Sequence, residues 1–261
     1  MAQKASKTLP LAEASKIWSL YSFKSPKELV LEDLAMAMNI FVVDARLDSA
    51  AARLVRKDDY GLIRVSDSLR FSGQRRFAIA HEIGHFVMHN NVSQALACTD
   101  ADIRASYKSS PYEIEASTFA GALLMPHDLF AARIKGTVPA THIIKALAKE
   151  FDTSLTATAL RYVETSNDYC VFVVSEKGKI RWWRASDSFG NHDLWLESRT
   201  ALPRFSAAAK YFRTGEAPIE PNQIDLKDWL GELPGIHSDY VVEQAIPLPE
   251  FDQVISLIWL P

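Results

Sequence analysis

The first third of the chain changes from helical to strand periodicity in its apolar positions. Two segments have apolar side chains at helical spacing and are separated by Ser25-Pro26. Short alternating runs follow and predict strands, with Asp59-Tyr60-Gly61 as a turn. The predicted elements are the helices Leu11–Tyr21 and Glu28–Met38 and the strands Phe41–Leu47, Ala52–Arg56 and Leu62–Ser66. A small sheet therefore precedes the next segment.

That next segment has a buried stripe at helical spacing, with Ser72 as its predicted N-cap. The stripe consists of Phe77, Ala80, Gly84, Val87 and Met88. A second apolar helix is predicted from Pro111 to Leu124, where Met125-Pro126 ends it. The polar stretch between them, Asn90–Ser110, lacks periodicity and is predicted to be a loop. Tyr107 or Tyr112 could donate a hydrogen bond to a tetrahedral intermediate, but ordinary loop tyrosines are the favoured interpretation.

The second half of the chain is first helical and then mixed. Residues 127–164 predict two helices around a turn at Phe151–Ser154, a pattern similar to a helix-turn-helix. Its second helix offers one arginine among small residues, which favours a structural helical pair over DNA readout. From residue 165, strands at Tyr169–Ser175, Ile180–Ala185, Tyr240–Ile246 and Val254–Leu260 and a helix near Ser206–Arg213 predict a mixed domain. The fold class is therefore α+β, with predicted domains 1–126, 127–164 and 165–261.

Composition narrows the class of protein. The 261 residues have a formal net charge of −3, which gives no general electrostatic reason to bind DNA or anionic lipid. Cys98 and Cys170 are far apart and are expected to be reduced thiols. No run is long and apolar enough to span a bilayer, and the N-terminus lacks an apolar signal core. We expect a cytoplasmic protein that does not bind a membrane.

The sequence His81-Glu82-Ile83-Gly84-His85 is the strongest chemical signal in the chain. Two histidines four residues apart on a helix lie on one face, so both imidazoles can reach one metal ion. The intervening Glu82 points about a quarter-turn away, where it can accept a proton from water at the metal. This pattern indicates a catalytic metal site.

A catalytic zinc site needs a third protein ligand. His89 lies one further helical turn along, too far to complete a compact tetrahedron, so a carboxylate from the Pro111 helix is the better candidate. Alanines at 116, 120 and 122 with Gly121 would let that helix pack closely. Glu113 and Glu115 are both candidates, and periodicity does not separate them.

These residues resemble the ImmA/IrrE family of zinc-dependent metallopeptidases. The family pattern Arg-Phe-x-x-Ala-His-Glu-x-Gly-His-x-x-x-His matches residues 76–89. Its second pattern, Glu-Ala-Asn-x-Phe-Ala-x-x-Leu-Leu-Met-Pro, matches residues 115–126, except that Ser117 stands where the family usually has asparagine. The resemblance implies that His81, His85 and Glu115 bind zinc and that Glu82 is the general base.

The resemblance also implies a fold and a function. It implies a gluzincin-like metallopeptidase domain, a helix-turn-helix-like middle segment and a C-terminal GAF-like sensor domain. The expected activity is that of a zinc metalloendopeptidase that cleaves a helix-turn-helix transcriptional repressor in a regulatory or stress response. The donor set would also accept Mn²⁺ or Co²⁺. The alternative is a regulatory binding protein that contacts a repressor or DNA and has a structural metal site, although Glu82 and the lack of a fourth ligand argue against it.

Overall fold

The computed structural model describes residues 5–6, 8–48, 50–89, 110–190, 192 and 194–261. The predicted loop Asn90–Ser110 falls outside these residues except at Ser110, as do Tyr107 and Cys98. The α-helices are α1 (Leu9–Leu20), α2 (Leu31–Ala37), α3 (Ser72–Met88), α4 (Pro111–Leu124), α5 (His127–Ile134), α6 (Thr141–Phe151), α7 (Leu155–Thr165), α8 (Ala207–Thr214) and α9 (Leu226–Leu230). Within the described part of the chain, no helix has both the length and the hydropathy needed to cross a bilayer.

The strands complete a mixed fold and confirm the prediction of helices combined with sheet. They are β1 (Ile40–Ala45), β2 (Ala52–Lys57), β3 (Tyr60–Ser66), β4 (Cys170–Glu176), β5 (Lys179–Ala185), β6 (Asn222–Asp225), β7 (Tyr240–Leu248) and β8 (Gln253–Trp259). Short 3₁₀ turns lie at Pro26–Glu28, Asp187–Phe189 and Pro249–Phe251. Strand β6 and helix α9 were not predicted from the sequence, because both are too short to show a period.

The described residues form two compact units. The first comprises residues 1–129 and 148–154, and the second comprises residues 130–147 and 155–261. The predicted middle segment, residues 127–164, is thus divided between them. The three-part division of the chain stays a prediction.

The first unit contains a three-stranded sheet in the order β1-β3-β2. Strand β1 is parallel to β3, and β2 pairs with β3 as an antiparallel hairpin. The face formed by Ile40, Ile63 and Val65 is buried. Helix α3 packs on the sheet, where the Arg56 guanidinium of β2 donates to the Phe86 carbonyl oxygen at 2.7 Å and lies 4.1 Å above the centre of the Phe86 ring.

Helix α4 packs between α3 and α1 in this unit. At Gly84 of α3 a β-carbon would lie 2.9 Å from Phe119 Cδ1 and 3.3 Å from Ala116 Cα, so the close approach of the two helices requires glycine there. On the other side, the Trp18 indole N–H of α1 donates to the Leu123 carbonyl oxygen at 2.8 Å. The predicted close packing of α4 is therefore observed at Ala116, whereas Gly121 has open space around it.

The second unit contains a five-stranded antiparallel sheet in the order β5-β4-β8-β7-β6. The β4–β5 hairpin turns at Lys177 and Gly178, which both have positive φ, 51° and 74°. Two central residues of this kind match the right-handed twist of the flanking strands. Helices α8 and α9 cover one face of the sheet, where Val171, Val241 and Ile258 are buried.

A buried carboxylate connects helix α8 to the second sheet. The Glu243 carboxylate of β7 accepts from the Ala207 amide at 2.7 Å and the Ala208 amide at 3.3 Å. It also accepts from the Ser256 hydroxyl at 2.8 Å and the Trp229 indole at 3.2 Å. Burial raises the pKa of Glu243, and these hydrogen bonds oppose the shift without reversing it. This carboxylate belongs to the architecture of the second unit.

Candidate metal centre

Helix α3 brings the two motif histidines together inside the first unit. His81 and His85 are buried, one turn apart on the same face, as their spacing predicts. Their Nε2 atoms face each other at 3.1 Å, with the rings close to perpendicular at 73°. Both ring nitrogens therefore point at one small volume.

Glu113 on α4 completes this group. Ser110 caps the helix by accepting from the Glu113 amide at 3.4 Å, and Pro111 occupies its first turn. The two carboxylate oxygens reach both histidines, with Oε2 at 3.1 Å from His81 Nε2 and Oε1 at 3.2 Å from His85 Nε2. Among the described residues, His81, His85 and Glu113 form the group that could hold a metal ion, with ligand atoms all within 4.8 Å of one another.

The structure differs here from the expectation that Glu115 is the third ligand. Glu115 lies against His89, with its Oε2 at 2.9 Å from His89 Nε2, and its Oε1 accepts from the Ser6 amide at 2.5 Å. Residues 113 and 115 project about 200° apart around a helix, so only one of them can face His81 and His85. The geometry assigns that place to Glu113.

The sequence offers two stripes on α4 that could face the histidines. Glu113, Ala116 and Ala120 recur at i, i+3 and i+7, a stripe whose small members suit close packing against another helix. Ala116 and Ala120 are both fully buried, and Ala116 is the contact of Gly84 on α3. Glu115, Phe119 and Ala122 have the equivalent spacing i, i+4 and i+7, so the stripes alone do not decide which glutamate meets the histidines.

The electrostatics of the group favour an ionised carboxylate. Burial alone would raise the pKa of Glu113, but hydrogen bonds to His81 and His85 outweigh it and hold the pKa well below its usual range. A buried anion facing two imidazoles is a donor set that suits a divalent cation.

Each histidine has a partner at its other ring nitrogen. The Ser117 hydroxyl lies 3.3 Å from His81 Nδ1, so serine supplies a hydrogen-bonding group at the position where the family has asparagine. His89 Nδ1 lies 2.9 Å from His85 Nδ1. The Tyr112 ring packs edge-on against the His89 ring, with centroids 5.0 Å apart.

Glu82 is on the same helix, between the two histidines, and only 1% of it is exposed. It projects about 100° around the helix from His81. The group of His81, His85 and Glu113 is formed without it.

The dimensions of the group are close to those of a tetrahedral metal site. With ligand bonds of about 2.0–2.1 Å, two ligands of a tetrahedral zinc ion lie about 3.3 Å apart. The two Nε2 atoms are 3.1 Å apart, and each lies close to a different oxygen of Glu113, His81 Nε2 at 3.1 Å from Oε2 and His85 Nε2 at 3.2 Å from Oε1. Two imidazoles and one carboxylate form the His₂Glu set of catalytic zinc sites, which leaves one position for water or substrate.

Comparison with known proteins finds a peptidase-family match that includes the residues of this site. Residues 35–162 match the family model of the M78 peptidases, described as the IrrE N-terminal-like domain. This part of the chain belongs to that family, which confirms the resemblance to ImmA/IrrE proteins. The comparison with curated proteins found no significant match.

One similar solved structure is a Mycobacterium tuberculosis transcriptional regulator. It aligns with 98% of this chain and 77% of its own, with a TM-score of 0.59 and 18% sequence identity. At that identity the likeness concerns the fold. The chain therefore contains an M78 peptidase-family domain, and its fold is similar to that of a protein named as a transcriptional regulator.

Proposed function

We propose that this protein is a zinc-dependent metalloendopeptidase of the gluzincin type. His81, His85 and Glu113 hold the metal, and Glu82 is the general base. The observation that carries the proposal is the buried convergence of three ligand atoms within 4.8 Å of one another beside an HExxH glutamate. Mn²⁺ or Co²⁺ would suit the same donors.

The chemistry follows from the residues. A bound zinc ion would supply Lewis-acid polarisation of the scissile carbonyl and lower the pKa of water toward about 7. Glu82 accepts the proton of the attacking water and then donates it to the leaving amine. Glu113 carries the negative charge that offsets the charge of the cation.

The proposed substrate is a helix-turn-helix transcriptional repressor. Its support is membership of the M78 family and the resemblance to ImmA/IrrE proteins, together with a neighbour in fold that is named as a transcriptional regulator. We further propose that the C-terminal GAF-like domain, residues 165–261, senses the signal that controls cleavage. Its five-stranded antiparallel sheet with a core of its own is compatible with a separate sensing unit.

The test measures both the metal content and the repressor cleavage of the same protein. The purified full chain should bind about one zinc ion and cleave a helix-turn-helix repressor encoded beside its gene. Glu113→Ala should lose the metal and the cleavage, because two histidines alone hold zinc poorly. Glu250→Ala removes an exposed glutamate in the second unit and is the matched control, expected to behave like the parent. Full repressor binding without cleavage by the zinc-loaded parent would favour the regulatory binding protein instead.

A further inference from the structure

We propose that His89 and Glu115 are positioning residues that orient His85 toward the metal. Glu115 fixes His89, and His89 in turn fixes the tautomer and the ring plane of His85. This inference rests on the proposed function, because it concerns how the metal ligands are held. It also gives a role to the glutamate that the sequence suggested as a ligand.

The geometry is a continuous chain of hydrogen-bonding contacts. His85 Nδ1 lies 2.9 Å from His89 Nδ1, and His89 Nε2 lies 2.9 Å from Glu115 Oε2. Both distances are within the range of good hydrogen bonds. The chain starts at the ring nitrogen of His85 opposite the one that faces His81 and Glu113.

The direction of each hydrogen bond follows from metal binding at His85 Nε2. A metal ligand nitrogen has no proton, so the proton of neutral His85 is on Nδ1 and is donated to His89 Nδ1. His89 Nδ1 must then be the acceptor, which places the proton of neutral His89 on Nε2. That N–H donates to Glu115, a carboxylate that can only accept when ionised. One set of tautomers satisfies the whole chain.

The two supporting side chains are enclosed by their surroundings. The side chains of His89 and Glu115 are only 5% and 9% exposed. The other oxygen of Glu115 accepts from the Ser6 amide, and the ring of Tyr112 packs against His89. A carboxylate that supports a metal-bound histidine orients its ring and makes it a stronger ligand. Here the support passes through a second histidine.

A double-mutant cycle on zinc affinity tests the proposal in the full-length chain. His89→Ala and Glu115→Ala should each weaken zinc binding by about 10- to 100-fold, the usual effect of removing such support. Because Glu115 acts through His89, the double variant should be no weaker than His89→Ala alone. His89→Ala leaves the contact between Ser6 and Glu115 in place, so loss of that contact does not explain equal effects of the two single variants.

Conservative variants supply the second readout. Glu115→Gln keeps an oxygen that accepts from His89 and should retain most of the zinc affinity that Glu115→Ala loses. The visible absorption bands of the Co²⁺-loaded protein, which report the ligand geometry, should shift in His89→Ala and Glu115→Ala and stay near the parent in Glu115→Gln. If His89→Ala fails to fold, the Ala and Gln variants at 115 decide, because a direct ligand would tolerate neither.

The outcomes separate this proposal from the proposed function. Two results would overturn the proposed support of His85 and leave the proposed metallopeptidase function intact. One is a double variant in which the two losses of zinc affinity multiply, and the other is single variants that keep the parent's zinc affinity. A parent chain that binds neither Zn²⁺ nor Co²⁺ would instead overturn the proposed function. Loss of zinc by orders of magnitude in both Glu115→Ala and Glu115→Gln would make Glu115 a ligand and reject its positioning role.

Discussion

At the scale of single residues, we propose that the site separates groups that hold a cation from a group that moves a proton. His81, His85 and Glu113 converge within hydrogen-bonding distance, whereas Glu82 is buried on the same helix outside that group. In the proposed mechanism these four side chains have two different tasks. Substitutions that keep shape and remove charge can distinguish them.

We predict that Glu82→Gln abolishes proteolysis and leaves zinc content near one ion per chain. Glutamine has nearly the same shape but cannot accept the proton of the attacking water, a contribution typically worth about 10²- to 10⁴-fold in rate. Elemental analysis and a cleavage assay on the same preparation measure both quantities. A metal-poor Glu82→Gln protein would show that this glutamate helps to hold the ion.

At the scale of elements, the position of Glu113 depends on how closely α4 approaches α3. Gly84 is the contact point, since a β-carbon there would overlap Phe119 and press on Ala116. In contrast, Gly121 of α4 has no neighbouring atom within 4 Å of the position of a β-carbon. The two helices of the site thus offer a matched pair of glycines.

We predict opposite effects of alanine at these two glycines. Gly84→Ala should lower the free energy of unfolding by about 1–3 kcal/mol through overpacking and weaken zinc binding by displacing Glu113. Gly121→Ala should raise the free energy of unfolding by about 0.5–1 kcal/mol, because alanine is the better helix former and meets no clash. Chemical denaturation with a zinc titration tests the pair. Parent-like zinc affinity in Gly84→Ala would mean that the helices tolerate a wider separation.

At the scale of the whole molecule, each of the two units has a core of its own, and the candidate metal ligands all belong to the first. Removing the buried Glu243 carboxylate leaves four donors in the second unit without their acceptor. We predict that Glu243→Ala destabilises this unit by about 2 kcal/mol or more, with zinc affinity unchanged. Denaturation followed by tryptophan fluorescence, together with zinc titration, measures both effects. Loss of zinc in a folded Glu243→Ala protein would show that the site depends on the second unit.

The pH dependence of the second unit has a definite sign. The pKa of Glu243 is raised in the folded chain above its ordinary value of 4.5. Its contribution to stability is therefore complete below pH 4.5 and is lost as the pH rises through the folded-state pKa. The difference in unfolding free energy between the parent and Glu243→Gln should shift against the parent as the pH rises from 4.5 toward neutrality. A shift in the parent's favour would mean that its four donors lower the pKa instead.

The sequence by itself determined the local elements of the site. The spacing of His81 and His85 predicts a helix with two potential metal ligands on one face, because side chains four residues apart share a face through helical geometry alone. Pro111 and Met125-Pro126 likewise bound the second helix. The β4–β5 hairpin could be predicted because Lys177-Gly178 matches a tight turn between two alternating runs.

Only the tertiary structure decided which glutamate meets the histidines. Glu113 and Glu115 lie on different faces of one helix, and the choice depends on the rotation of α4 against α3, which the contact of Gly84 with Ala116 and Phe119 sets. The two glutamates then take up different surroundings, Glu113 between His81 and His85 and Glu115 against His89. The local sequence predicts only that Glu113 and Glu115 lie on the same apolar helix. The packing of two helices, a contact between residues about thirty positions apart, determines what each one touches.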